Sequence, residues 1–188
     1  MVLKMDIQST DLHGVKIVIP NVFRDTRGYF FESYQAKRYS ETGITCNFVQ
    51  DNVSFSTTNT LRGLHYQHPN AQAKLVSVLK GEVFDVAVDI RRGAPTFGRW
   101  EGAVLSAENN RQLFIPEGFA HGFCVLSEDV VFSYKCSEFY TPTSEHGILW
   151  SDPDIRIAWP VEAPLLSDKD AGYPLLRDVA DEDLPEYR

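Results

Sequence analysis

Basic residues are scarce in this sequence, and long apolar runs are missing. Its 188 residues include 18 lysines and arginines against 26 aspartates and glutamates, which gives a formal net charge of −8. This balance argues against a protein that coats nucleic acid or docks on an anionic membrane, because both tasks need a basic face. A membrane span needs roughly 18 consecutive apolar residues, and no segment approaches that length. We therefore expect neither a nucleic-acid partner nor a membrane partner.

Cysteines are also few. Cys46, Cys124 and Cys136 are odd in number, and their spacing fits neither a zinc knuckle nor a disulfide scaffold. The simplest interpretation is a set of reduced thiols in a cytoplasmic protein.

The length of the chain limits its domain organisation. A chain of 188 residues can bury a core without disulfides or metal, but it has no room for a cofactor-binding domain beside a substrate domain. We expect one domain over residues 1–188, with its core at about 15–160 and a C-terminal extension at about 161–188.

Short strand patterns separated by turns occupy most of the chain. In residues 83–90, Phe84, Val86, Val88 and Ile90 share one face, and the opposite face carries Asp85, Ala87 and Asp89. Similar runs lie at 15–19, 74–80, 102–105, 111–115, 122–126 and 130–134. Helical patterns are confined to residues 32–42 and to the segment after Ser167, a candidate N-cap. The sequence therefore predicts an all-β fold, an antiparallel sandwich or barrel such as a jelly roll, with a few short peripheral helices.

Residues 61–68 bring a cation, a histidine and a tyrosine close together. In a regular strand Arg62 and His65 point to opposite faces, unless Gly63 hosts a bulge that re-aims them. A lone histidine is more often structural than catalytic, so this segment alone favours a structural role for His65.

Residues 115–123 contain a Pro-x-Gly-x-x-His string that ends at His121. The string resembles the second metal motif of cupins, which are jelly-roll barrels. The first cupin motif usually supplies a His-x-His pair, but here Gln67 stands two residues after His65. Val125 stands where cupins often have asparagine. We therefore expect no complete metal site, which leaves acid–base chemistry or plain binding for His65 and His121.

Two further residues admit both a structural and a catalytic interpretation. Tyr134 lies in a strand pattern, where it is either a core residue or a proton donor opposite a base. Asp170 lies in a charged run that is either solvated surface or a segment folded back to orient a histidine.

Several strings, taken together in order and spacing, resemble the dTDP-4-dehydrorhamnose 3,5-epimerase family of cupin-type enzymes. They lie at 25–32, 48–52, 61–65, 81–89, 95–98, 115–123, 134–135, 140, 144–145, 148–150 and 169–170. The resemblance covers about residues 22–176. It implies a cupin-like jelly-roll barrel that converts dTDP-4-dehydro-6-deoxy-D-glucose to dTDP-4-dehydro-L-rhamnose in dTDP-L-rhamnose biosynthesis. It also implies that no metal and no nicotinamide cofactor takes part.

The resemblance also implies residue roles. His65 is the base with Asp170 as its partner, Tyr134 is the acid, and Lys74 is the cation near the enolate oxygen. Tyr140 stacks on thymine, and the remaining substrate-binding residues are Arg27, Phe30, Glu32, Gln50, Asn52, Arg62, His121, Glu145 and Lys169. Family members are usually homodimers that exchange N-terminal strands, which implies that Arg27, Phe30 and Glu32 act across the interface.

Four other functions compete with this one. A mono-epimerase would invert only C3 or C5 in a related deoxysugar pathway. Its substrate would exchange deuterium at one carbon instead of two. A cupin-type sugar 3,4-ketoisomerase shares the fold, but residues 61–65 and the pairing of Tyr134 with Asp170 disfavour it. A metal-dependent cupin would need stoichiometric metal. A non-catalytic sugar-nucleotide binding module would have no need of the base, acid and cation.

Overall fold

The computed structural model describes residues 5–187, and strands make up most of the regular structure in that range. The strands are β1 (Asp6–Ser9), β2 (Lys16–Ile19), β3 (Phe23–Asp25), β4 (Gly28–Phe30), β5 (Gln50–Thr57), β6 (Leu61–Gln67), β7 (Lys74–Lys80), β8 (Glu82–Asp89), β9 (Trp100–Ser106), β10 (Gln112–Ile115), β11 (Phe119–Val125), β12 (Asp129–Cys136) and β13 (Glu145–Gly147). The helices are α1 (Ala36–Ser40), α2 (Asp168–Ala171) and 3₁₀ turns at Pro142–Ser144, Leu176–Asp178 and Asp181–Asp183. The all-β prediction is confirmed.

Two antiparallel sheets form the body of the fold. The six-stranded sheet has the order β1-β2-β10-β7-β12-β5, and the five-stranded sheet has the order β13-β6-β11-β8-β9. Strands β3 and β4 pair only with each other, as a separate hairpin. Consecutive strands often lie in different sheets, so residues that are distant in sequence meet between the sheets.

The alternating pattern of β8 explains how one sheet serves two packed layers. Val83 and Ala87 belong to the apolar cluster that both sheets share. Val86 and Val88 belong to a second cluster, which the C-terminal segment completes through Leu176 and similar side chains. The predicted division of faces in this strand is confirmed. The C-terminal segment therefore covers the outer face of the five-stranded sheet.

Both predicted helical segments contain helices, and both are short. Helix α1 lies within the predicted range 32–42. Helix α2 begins after Ser167, whose Oγ accepts a hydrogen bond from the amide of Asp170 at 3.1 Å. None of the helices within residues 5–187 has the length and apolar character needed to cross a membrane. The predicted domain limits at residues 1 and 188 lie outside the described residues.

Candidate active site

A bulge in β6 turns Arg62 and His65 toward the same side of the five-stranded sheet. His121 of β11 pairs with His65, whereas Phe123 pairs with Arg62, so three steps along β6 match two along β11. Gly63 lies between them at φ +132, and a Cβ at this position would stand 2.5 Å from the Cα of Gly122. Only glycine fits this close approach. The bulge that the sequence suggested at Gly63 is confirmed.

The space between the sheets opens into a cavity of about 300 Å3. His65 and Gln67 reach it from the five-stranded sheet, and Tyr134 and Lys74 reach it from the six-stranded sheet. Its remaining lining is Gln50, Asn52, Tyr66, Gln72, Cys136, Tyr140 and Glu145. A bound ring would therefore have His65 on one side and Tyr134 on the other.

His65 is tied to Asp170 of α2. The Nε2 of His65 lies 2.7 Å from Oδ1 of Asp170, and the amide of Gly63 donates to Oδ2 at 3.4 Å. Burial works to raise the pKa of Asp170, but the hydrogen bonds from His65 and Gly63 outweigh it and hold that pKa below its ordinary value. An ionised carboxylate can only accept, so Nε2 of His65 carries the proton. The free lone pair is then on Nδ1, the nitrogen suited to act as a base.

Burial shifts the pKa of both Tyr134 and Lys74. Burial raises the pKa of Tyr134, and the nearby charge of Arg62 only partly opposes this. The phenol is therefore protonated at neutral pH, as an acid must be. Burial lowers the pKa of Lys74, against the pull of Cys136, Asp85 and Glu145. In its charged form, a desolvated Lys74 would interact strongly with any negative charge that develops nearby.

His121 pairs with a residue that the sequence did not identify as part of the site. Its Nε2 lies 3.0 Å from both carboxylate oxygens of Asp85, and both residues are buried. Burial lowers the pKa of His121, and the charges of Lys74 and His65 lower it further against the opposing effect of Asp85. In the sequence pattern Asp85 lies on the face of residues 83–90 opposite the apolar one, which gives no sign of a buried partner.

At the mouth of the cavity, three predicted binding residues form a chain. The hydroxyl of Tyr140 donates to Oε2 of Glu145 at 2.7 Å, and Nζ of Lys169 lies 2.6 Å from the same oxygen. Burial works to raise the pKa of Glu145, but these two donors outweigh it and hold the pKa below its ordinary value. Lys169 precedes Asp170 on α2. This helix therefore contacts both Glu145 at the mouth of the cavity and His65.

Arg62, Gln50 and Asn52 are also near these groups. Arg62 donates to Oγ of Ser56 at 3.0 Å and lines, together with Asp170, an adjoining cavity of about 310 Å3. The side chain of Gln50 accepts a hydrogen bond from the amide of Tyr140 at 2.9 Å.

Three predicted binding residues lie outside the cavity of their own chain. Arg27 sits in the β3–β4 hairpin with its side chain 88% exposed, paired with Asp25 at 2.6 Å. Phe30, also in the hairpin, is 65% exposed. Glu32 follows the hairpin and pairs with Arg38 of α1. The single chain therefore brings together eleven of the fourteen predicted residues and leaves out these three.

Tyr173 was missed because it lies in an irregular segment without periodicity. Its ring meets His65 edge-on, with centroids 5.8 Å apart, and it fills the space where a side chain at position 147 would stand. Gly147 is therefore needed for Tyr173 to reach His65.

We also tested the donor set for a metal. Within residues 5–187, no three histidine, cysteine, aspartate or glutamate side chains are placed to share an ion. Gln67, at the position where cupins have a second histidine, bonds backbone groups.

Comparison with known proteins agrees with this geometry. The family model for dTDP-4-dehydrorhamnose 3,5-epimerase matches residues 9–178. A dTDP-4-dehydrorhamnose 3,5-epimerase from Shigella flexneri is 59% identical over 168 residues, which cover 88% of this chain and 93% of that relative.

Two solved structures are similar throughout. A dTDP-6-deoxy-D-glucose-3,5-epimerase from Legionella pneumophila, in complex with dTDP-4-keto-L-rhamnose, has a TM-score of 0.96 and 55% identity, covering 98% of this chain and 100% of that one. A 3′-monoepimerase from Streptomyces bikiniensis, in complex with dTDP-quinovose, has a TM-score of 0.88 and 36% identity, covering 95% of this chain and 92% of that one. The expected cupin-like fold and epimerase class are confirmed. The chain belongs to the dTDP-4-dehydrorhamnose 3,5-epimerase family.

Proposed function

We propose that this chain inverts C3 and C5 of dTDP-4-dehydro-6-deoxy-D-glucose to give dTDP-4-dehydro-L-rhamnose. Both carbons flank the C4 ketone, so their protons are acidic and their removal places negative charge on the C4 oxygen. The observation that supports this most directly is the His65–Asp170 pair, which faces Tyr134 and Lys74 across the cavity. This arrangement provides what the chemistry requires: a base, a cation and an acid on the opposite side.

In this mechanism Nδ1 of His65 removes the proton. Asp170 holds the ring and stabilises the imidazolium, and a positioned base contributes about 10²–10⁴-fold. Lys74 lies toward the C4 oxygen, where a donor or cation contributes roughly 10²–10³-fold. Tyr134 then delivers a proton to the other face. No cofactor takes part in either half of the reaction.

The nucleotide occupies the mouth of the cavity. Tyr140 is 52% exposed, which leaves its ring free to stack on thymine. Arg62 and Lys169 supply positive charge for the diphosphate, and the guanidinium fork of Arg62 suits phosphate oxygens. Polar groups from the sheets complete the binding set: Gln50, Asn52, His121 and Glu145.

A homodimer completes the site. The β3–β4 hairpin pairs with no other strand among the described residues, and it exposes Tyr29 and Phe30 together with Arg27. Such a hairpin suits insertion into a partner, where Arg27, Phe30 and Glu32 would reach the partner's nucleotide. Sedimentation tests this: we expect a dimer, and a monomer at working concentration would contradict it.

We also infer one epimerase domain that works in the cytoplasm. The C-terminal segment buries Leu176 and Leu184 against the outer face of the five-stranded sheet and supplies Asp170 to the site. All three cysteines carry free thiols, as suits a reducing compartment.

The test of this function is turnover of the 4-keto sugar nucleotide in D₂O. We expect deuterium at both C3 and C5, and we expect His65→Ala to abolish it. The exposed His13, outside the cavity, provides the matched control, and His13→Ala should exchange normally. Exchange at one carbon only would identify a mono-epimerase, and substantial exchange by His65→Ala would refute the role of His65.

A further inference from the structure

The loop that carries Tyr140 is held by side chains from the barrel instead of by a strand ladder. Residues 139–141 have no regular secondary structure, and the ring of Tyr140 is half exposed. The hydrogen bond of its hydroxyl to Glu145 holds the far end of this exposed ring. The ring can stack on a ligand without rearrangement only if the backbone around Tyr140 is held in place.

Gln67 binds this loop on both sides of Tyr140. The amide nitrogen of Thr141 donates to Oε1 of Gln67 at 2.8 Å, and Nε2 of Gln67 donates to the carbonyl of Phe139 at 3.2 Å. Nε2 also donates to the carbonyl of Asn70 at 2.8 Å. Gln67 is only 6% exposed, and both donors and its acceptor are in use.

The same side chain stands two residues after His65, on the strand of the base. Gln50 adds a further bond from the opposite sheet by accepting from the amide of Tyr140. Three successive backbone groups, one each from Phe139, Tyr140 and Thr141, thus bond to glutamine side chains that line the cavity.

We propose that Gln67 is a positioning residue for nucleotide binding, which acts by fixing the backbone around Tyr140 and thereby the ring that faces the base of dTDP. This inference rests on the proposed role of Tyr140. Although Gln67 stands in the cupin ligand position, both ends of its side-chain amide are occupied by backbone partners. Its side chain ties the nucleotide end of the site to the strand that carries His65.

The first test separates binding from chemistry. Gln67→Ala should raise the Kd of dTDP and the KM of the sugar nucleotide about tenfold, because two loop groups lose buried partners, and kcat should change less than about twofold. Asn109 provides a matched control, since its amide also makes three backbone bonds, to Val104, Ser106 and Arg111, away from the cavity. Asn109→Ala should lower stability and leave Kd and KM unchanged.

The second test asks whether Gln67 acts through Tyr140. In a Tyr140→Ala background, Gln67→Ala should have no further effect on dTDP affinity, whereas a persisting tenfold loss would mean that Gln67 touches the ligand directly and would overturn the inference. A fall in kcat with unchanged KM would overturn it as well. If Gln67→Ala fails to fold, Gln67→Glu keeps the shape and the acceptor while removing both donors. Loss of affinity in Tyr140→Ala alone tests the proposed platform independently of Gln67.

Discussion

Replacing Gly63 by alanine should destabilise the fold and change the orientation of His65, the proposed base. Gly63 has φ +132, and the new Cβ would stand 2.5 Å from the Cα of Gly122 and 2.9 Å from the carbonyl oxygen of His121. Both neighbours are backbone atoms of β11, so no side chain can rotate away. Strands β6 and β11 would have to separate by close to an ångström at the point where Arg62 and His65 are set.

The size of the effect follows from two additive causes. An alanine at this φ costs roughly 1–3 kcal/mol of backbone strain. Forcing extra volume into a packed contact costs roughly 1–3 kcal/mol more. Gly93 isolates the first cause, because it has φ +81 but nothing within 4 Å of its Cβ position, and it lies outside the β3–β4 hairpin. Gly93→Ala should therefore lose only the strain, and Gly63→Ala should lose clearly more.

Urea denaturation of both variants measures this difference in stability. Deuterium exchange into the substrate then measures the effect of Gly63→Ala on the reaction. We expect Gly63→Ala to be less stable than Gly93→Ala by about 1–3 kcal/mol. Displacement of a catalytic group by about 1 Å can cost on the order of 10²-fold in rate, so kcat of Gly63→Ala should fall by that order. Equal stability of the two variants, or full exchange by Gly63→Ala, would contradict the steric role of Gly63.

Two substitutions and one change of pH probe the proposed catalytic groups. Asp170→Asn should lower kcat by about 10²–10⁴-fold with little change in KM, because the amide no longer holds the basic tautomer of His65; steady-state kinetics measures it, and an unchanged kcat would contradict the pairing. Tyr134→Phe should still exchange deuterium into recovered substrate while forming little epimer, as followed by NMR, and normal product formation would remove Tyr134 as the acid. Because the folded pKa of Asp170 is held below its ordinary value of 3.8, the stability it contributes is present above that value and is lost as pH falls through the folded pKa. Urea titrations near pH 6 and near pH 3 should therefore show a smaller acid loss in Asp170→Asn than in the parent chain, and equal losses would count against the shift.

Local pattern was sufficient to predict several strands and their faces. Residues 83–90 alternate apolar and polar side chains, and β8 places them in two different layers as that period requires. The bulge at Gly63 could be suggested, since glycine tolerates positive φ, but its occurrence depends on the facing Gly122 of a strand almost sixty residues later. Pattern alone could therefore not decide whether Arg62 and His65 converge.

Residues whose role depends on a contact between distant segments could not be predicted from the sequence. In the sequence pattern Asp85 lies opposite the apolar face of its strand, where a solvent-facing residue is expected. Its pairing with His121 follows only from the alignment of β8 with β11. Tyr173 lies in a segment without periodicity. From the sequence, Gln67 stands only where a second metal ligand is missing, and its hydrogen bonds to the loop at Phe139 and Thr141 are seen only in the structure. Arg27 and Phe30 belong to a hairpin whose contacts within this chain do not reach the cavity.

Under the proposed roles of His65 and Tyr134, the two-sheet architecture explains how one base and one acid can serve two inversions, with both groups exchanging their protons with solvent between the two steps. Stacked sheets lie about 10 Å apart, which leaves room for one sugar ring between His65 on one sheet and Tyr134 on the other. In a ring of the D-gluco configuration, the hydrogens of C3 and C5 are axial on the same face, so a small shift of the ring brings either one to His65. Both reprotonations then come from the side of Tyr134. On this proposal, a chain of this fold that inverts a single carbon needs only to limit the shift of its sugar between the sheets. Selectivity between one and two inversions is then expected to depend on the lining that limits this shift, and substitutions there should change the ratio of deuterium at C3 to deuterium at C5 while both carbons still use His65.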